Sequence, residues 1–105
     1  MSHIISTFKS AIKNYLRVAF RYDNEATFRI FEPYVIYEYG ENTLISGTQS
    51  KDYSKPSKEA VPHKFNLEKI SSLRILSTKF EYDTRFNPDR DEYKDSIAVI
   101  KANRL

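Results

Sequence analysis

Arg29 is the residue whose surroundings point most directly to chemistry. It stands between Phe28 and Ile30 in an alternating apolar segment, where a planar guanidinium is costly unless it is exposed or paired. Two outcomes fit such a position: a structural ion pair with Glu32 or Glu38, or a cation held ready for an anion. Tyr22 and Tyr34 each carry an apolar body and a hydroxyl. Beside Arg29 they would form the aromatic and cationic surface that takes single-stranded nucleic acid or nucleotides by stacking plus phosphate contact. His63 precedes Lys64 and Phe65, so in a strand His63 and Phe65 share one face and Lys64 takes the other. A lone histidine more often serves as a hydrogen-bonded structural residue than as a ligand.

Catalysis has little to work with. The chain has no Cys, and its two histidines, His3 and His63, are far apart, which leaves no recognisable metal-ligand spacing. The carboxylates Asp83, Asp89, Asp91, Glu92 and Asp95 cluster, but Arg85, Arg90 and Lys94 interleave with them, a pattern of capping and solvation. No nucleophile elbow, glycine-rich phosphate loop or paired Ser and His motif occurs. The expectation is a non-enzymatic protein with no catalytic residue, metal or cofactor.

These residues need elements to hold them. Ile4, Ile5, Phe8, Ala11, Ile12 and Tyr15 recur at spacings of three and four, which predicts an amphipathic helix over 4–15 with Ser2 as its N-cap. The period then changes to two: Leu16, Val18, Phe20 and Tyr22 alternate with Arg17, Ala19 and Arg21 up to a turn at Asp23-Asn24. A second strand starts at Thr27, and Pro33 marks a bulge, bend or edge in it because proline cannot donate to a ladder. Tyr34 to Tyr39 resumes the strand, Tyr39-Gly40-Glu41-Asn42 reads as a hairpin turn, and Thr43 to Thr48 returns. A long loop follows from Gln49 to Pro62. Then come a short strand over Val61 to Phe65, a single helical turn capped by Asn66, and a strand from Ile70 that reaches toward Tyr82. Asn87-Pro88 opens a C-terminal helix through Tyr93, Ile97 and Ile100, although Ser96 to Ile100 fits a strand equally well.

The whole is one domain of 105 residues, too short for a second core. Eight Tyr and seven Phe with only two Gly favour half-buried pleated surfaces. The fold expected is mainly β with flanking helices (α+β): a small SH3-like or Sm-like barrel of about five strands with an N-terminal helix and a C-terminal extension. The absence of Cys suits a reducing cytoplasm, and no apolar run is long enough for a membrane span or a secretion signal. The net charge of +3 is uneven: residues 1–31 carry five basic and two acidic groups, 32–50 three acidic and none basic, and 51–79 seven basic and three acidic. Two cationic regions therefore flank an acidic hairpin and are free to meet on one face of a barrel, while Lys51, Lys55 and Lys58 read as loop solvation.

The order of the pieces over residues 8–80 resembles the WYL domain, a bacterial ligand-sensing module usually attached to helix-turn-helix transcription regulators. The resemblance rests on Ala11-Ile12, Val18-Ala19-Phe20-Arg21-Tyr22, Arg29 through Glu32-Pro33-Tyr34, Asn42-Thr43-Leu44-Ile45-Ser46-Gly47, and His63-Lys64-Phe65-Asn66-Leu67-Glu68-Lys69-Ile70. It implies an SH3-like or Sm-like barrel and an anionic ligand, nucleic acid or nucleotide, contacted by Arg29 with Tyr22 and Tyr34, and with His63 and Lys69 at the family's other basic positions. The naming Trp-Tyr-Leu is Asn42-Thr43-Leu44 in this chain, so a stacking ring is replaced. A stand-alone accessory or an excised piece is expected, contributing to transcriptional or defence regulation. The alternative is a protein interaction or oligomerisation module whose apolar rim, including Phe31, Tyr37 and Tyr39, pairs with a second copy or a regulatory protein.

Overall fold

The computed structural model describes residues 2–49 and 63–102. The expected loop with Lys51, Lys55 and Lys58 lies outside them, as do Val61, Pro62 and the side chain of Ser2 on which the N-cap reading depends. Helix α1 (Ser2–Asn14) buries Phe8, Ala11 and Ile12 completely or nearly so, the stripe that the three-four spacing sets out. Tyr15 ends it in the left-handed region at φ 56°, and the chain passes directly into β1 (Leu16–Tyr22).

Asp23 and Asn24 both have positive φ, 51° and 62°, and the Glu25 amide donates to the Tyr22 carbonyl at 3.0 Å. That is the pattern of a type I′ turn, and Asp and Asn are the non-glycine residues that tolerate it. Strand β2 (Arg29–Tyr39) begins two residues after the expected Thr27 and runs through Pro33 unbroken. Gly40, at φ 62°, turns the chain into β3 (Asn42–Gln49). Strand β4 (His63–Asn66) leads into a 3-10 turn whose Glu68 amide donates to the Asn66 side-chain oxygen at 3.0 Å, the capping role read for Asn66. Strand β5 (Ile70–Lys79) stops short of Tyr82.

The C-terminal helix does not form. The Asn87 side chain does accept from the Asp89 amide at 3.0 Å, the contact that a helix N-cap makes, but no helix continues from it. Only a 3-10 turn at Asp91–Tyr93 follows, and then β6 (Ser96–Val99). The deciding factor is remote in sequence: β1 pairs with β2 only over Arg29 to Phe31, so the far half of β2 needs another neighbour. Strand β6 supplies it, with Val35 opposite Val99 and Ile36 opposite Ala98.

The result is a mainly β domain, one N-terminal helix on a six-stranded antiparallel sheet of order β4-β3-β2-β1-β5 with β6 joined to β2. Pro33 does mark a bulge. It lies opposite Gly47, but Val35 lies opposite Ser46, so Tyr34 is an extra residue on β2. The core centres on Phe20, Phe31 and Phe65, packed edge to face at 5.2 to 5.8 Å, an arrangement that adds to area burial. Phe31 and Tyr37 are wholly buried and only Tyr39 of the expected rim is exposed. Tyr37 faces Ser46 (2.9 Å between hydroxyls) and the ring of Tyr93, so no apolar rim of these three residues exists.

Candidate functional site

Phe20 is paired with Arg29, which places Arg29 on the core side of β2 at the open end of the sheet. Its Nη1 donates to Gln49 Oε1 and its Nη2 to Glu25 Oε1, both at 2.8 Å. The guanidinium carbon lies 5.3 Å from the Phe65 ring centroid and 5.9 Å from that of Tyr22, within cation–π range. The Nε atom is buried and has no acceptor among the described residues. The side chain keeps 26% of its surface exposed, so the cation is held by two rings and still reaches solvent.

Neither carboxylate expected to pair with Arg29 does so. Glu32 is three residues away and therefore on the opposite face, where its Oε2 accepts from Arg17 Nε at 2.9 Å and its Oε1 from the Thr48 hydroxyl at 2.8 Å. Glu38, at the far end of the strand, accepts from the Thr43 hydroxyl. The partner is Glu25, just beyond the type I′ turn. A register count would have exposed the Arg17 pairing, since Glu32 follows one step on from the Val18–Phe31 pair.

The structure brings several of the other expected residues to the same end. The Tyr22 ring packs on Phe65 at 4.8 Å and its hydroxyl accepts from the Asn66 amide. His63 is exposed and stacks on Phe65, 6.2 Å between centroids and 11° from parallel. Lys69 is exposed, and its carbonyl accepts from the Asp23 amide at 2.8 Å, which ties it to the turn after Tyr22. Its ammonium has no partner among the described residues. Phe65, the ring beneath all of this, was expected to share a face with His63 but not to act as a platform.

Tyr34 does not join them. Five positions from Arg29 and itself the extra residue of the bulge, it packs into a second ring cluster with Phe80, Tyr82 and Phe86, 1% exposed. Its hydroxyl accepts from the Asp83 amide at 2.9 Å. Burial pushes its phenol up to about 12. The unfolded phenol ionises near pH 10, so the stability gained by keeping it neutral is complete below about pH 10 and is lost as pH rises toward 12. Urea midpoints measured at about pH 9 and pH 11 should fall more steeply for the wild type than for Tyr34→Phe. The difference should amount to about 2 to 3 kcal/mol over the full transition, and equal slopes would rule the effect out.

A second cationic and aromatic cluster was not foreseen. Phe28 is 41% exposed, with the guanidinium carbons of Arg21 and Arg74 at 5.6 and 4.6 Å from its centroid. Arg21 comes from the first basic region and Arg74 from the second, so the two regions meet at this ring. Two carboxylates of the acidic cluster, Asp83 and Glu92, are held in ion pairs. Asp83 accepts from the Arg85 amide and guanidinium at 2.7 to 3.0 Å, which holds its carboxyl below the usual range. Glu92 pairs with Lys64 and Arg90. Among the described residues no group of three His, Asp or Glu is placed to hold a metal ion, and no helix is long and apolar enough to cross a membrane.

Comparisons with protein families, with characterised proteins and with solved structures find no match to this chain.

Proposed function

We propose that the domain is a non-enzymatic binding module for an anionic ligand, single-stranded nucleic acid or a nucleotide, taken at the end of the sheet by Arg29. The observation that carries this reading is the partly exposed Arg29 guanidinium lying over Tyr22 and Phe65, with a buried Nε that has no acceptor among the described residues. Phosphate can replace the half-exposed Glu25 on Nη2 without disturbing the rings. His63, stacked on the same Phe65, extends the platform along which a base can stack, and Lys69 adds at the same end an ammonium without a partner among the described residues. The resemblance to WYL domains suits this ligand class and suggests a cytoplasmic role in transcriptional or defence regulation, with Tyr34 left as a core residue.

Fluorescence anisotropy with short single-stranded DNA and RNA tests the reading. Binding is expected at about 50 mM salt and should weaken steeply by about 200 mM. Arg29→Gln should lower affinity about ten-fold or more while melting within a few degrees of the wild type. Absence of binding at low salt, or a folded Arg29→Gln protein that binds as well as the wild type, would overturn it.

A further inference from the structure

Past the opposite end of β1, roughly 16 Å along the strand from Phe20, the residue paired with Arg29, a cleft of about 750 Å³ opens between the last two turns of α1 and strand β6. That is the size of a small-molecule site. Its floor is apolar, made by Ile12 of the helix with Ala98 and Val99 of β6. Lys9, Lys13 and Lys101 stand around it, and among the described residues no acidic one lines it. None of the three ammonium groups has an ion-pair partner among the described residues.

The helix dipole accounts for Lys13, which lies in the last turn. It does not account for Lys9, one turn earlier, where a like charge at i,i+4 is unfavourable, nor for Lys101 across the cleft. The rim is also fixed. Tyr15 is held in its left-handed turn and its hydroxyl donates to the Lys101 carbonyl at 2.5 Å, which anchors the β6 side of the cleft to the end of the helix. Three like charges over an apolar floor, with no counter-charge among the described residues, are complementary to a ligand that brings both an apolar body and a negative group.

We propose that this cleft binds a small amphiphilic organic anion, its apolar body on Ile12, Ala98 and Val99 and its carboxylate or phosphate among Lys9, Lys13 and Lys101. The site is independent of the Arg29 end and would stand if oligonucleotide binding failed. Calorimetry with decanoate, decanol and inorganic phosphate separates the contributions. Decanoate should bind with a dissociation constant below about 1 mM, and decanol and phosphate at least about ten-fold more weakly. The doubly substituted Lys9→Gln, Lys101→Gln protein should lose about ten-fold in decanoate affinity with an unchanged circular dichroism spectrum. In the wild type, decanoate binding should weaken as salt is raised. The proposal is overturned if decanoate does not bind below about 1 mM, if decanol or phosphate binds as tightly, or if the folded double variant or added salt leaves the affinity unchanged.

Discussion

Gly47→Ala should lower the stability of the protein by about 3 kcal/mol or more, although it adds a single methyl group. Gly47 lies in β3 opposite Pro33, and a Cβ there would sit 2.1 Å from the Glu32 carbonyl oxygen and 2.8 Å from the tip of the Phe31 ring. The first obstacle is backbone in the central strand, and the second is a ring locked edge to face between Phe20 and Phe65. Neither is the loose end of a flexible chain. Overpacking in a core costs about 1 to 3 kcal/mol where side chains can shift. With backbone in the way the expected cost is about 3 kcal/mol or more, out of a total of about 5 to 15. Gly40→Ala is the natural control: its φ of 62° is unfavourable for alanine, but nothing lies within 4 Å, so about 1 kcal/mol is expected. Urea denaturation of the two variants checks this, and a Gly47→Ala midpoint no lower than that of Gly40→Ala would refute the steric argument.

Arg17→Met should cost about 3 kcal/mol or more. Arg17 and Glu32 form a buried pair across β1 and β2, with side chains 11% and 9% exposed. Arg17 also donates to the Lys79 carbonyl at the end of β5, and Glu32 accepts from Thr48 on β3. This one pair therefore ties four strands together. Removing the arginine leaves a desolvated carboxylate with the Thr48 hydroxyl as its remaining described partner, and that penalty is the expected loss. Replacing both partners, Arg17→Met with Glu32→Leu, should recover most of it, because apolar groups of similar size fill the space without a buried charge. A double variant as unstable as Arg17→Met alone would show that the loss comes from packing rather than from the stranded charge. Denaturation midpoints of the three proteins decide between the two.

Much of the fold is legible where the signal is local. Helix α1, the Asp23-Asn24 turn, the Gly40 hairpin and the Asn66 cap each announce themselves within a few residues, because side-chain spacing or a required φ decides them. Ser96 to Val99 is undecidable on that scale. Tyr93, Ile97 and Ile100 suit a helix, and what makes a strand of this stretch is the empty half of β2, more than fifty residues away in the chain. The site follows the same division. Arg29 is conspicuous as a cation in an apolar strand, and Tyr22 and His63 fall beside it once the strands pair. Phe65 comes from a distant segment and only the register brings it in, whereas Glu25, four residues before Arg29, is brought back to it by the turn at Asp23-Asn24. Tyr34 lies five positions from Arg29, so simple alternation already sets it on the other face, and as the bulge residue it packs with Phe80, Tyr82 and Phe86 instead.

The bulge has a wider consequence. Arg29 and Phe31 point to the core, and so does Ile36, which is paired with Ile45, although it lies an odd number of positions from either. Strand β2 is thus out of phase with itself, and Tyr34 is where the phase changes. Counted without Tyr34 the strand alternates without a break, Arg29, Phe31, Pro33 and Ile36 on one face and Glu32 and Val35 on the other. The chain carries one residue more than the pleat can use, and the bulge takes that residue out of the count. A strand that spent Tyr34 as an ordinary step would have to give up either the cation at one end or the aliphatic core at the other.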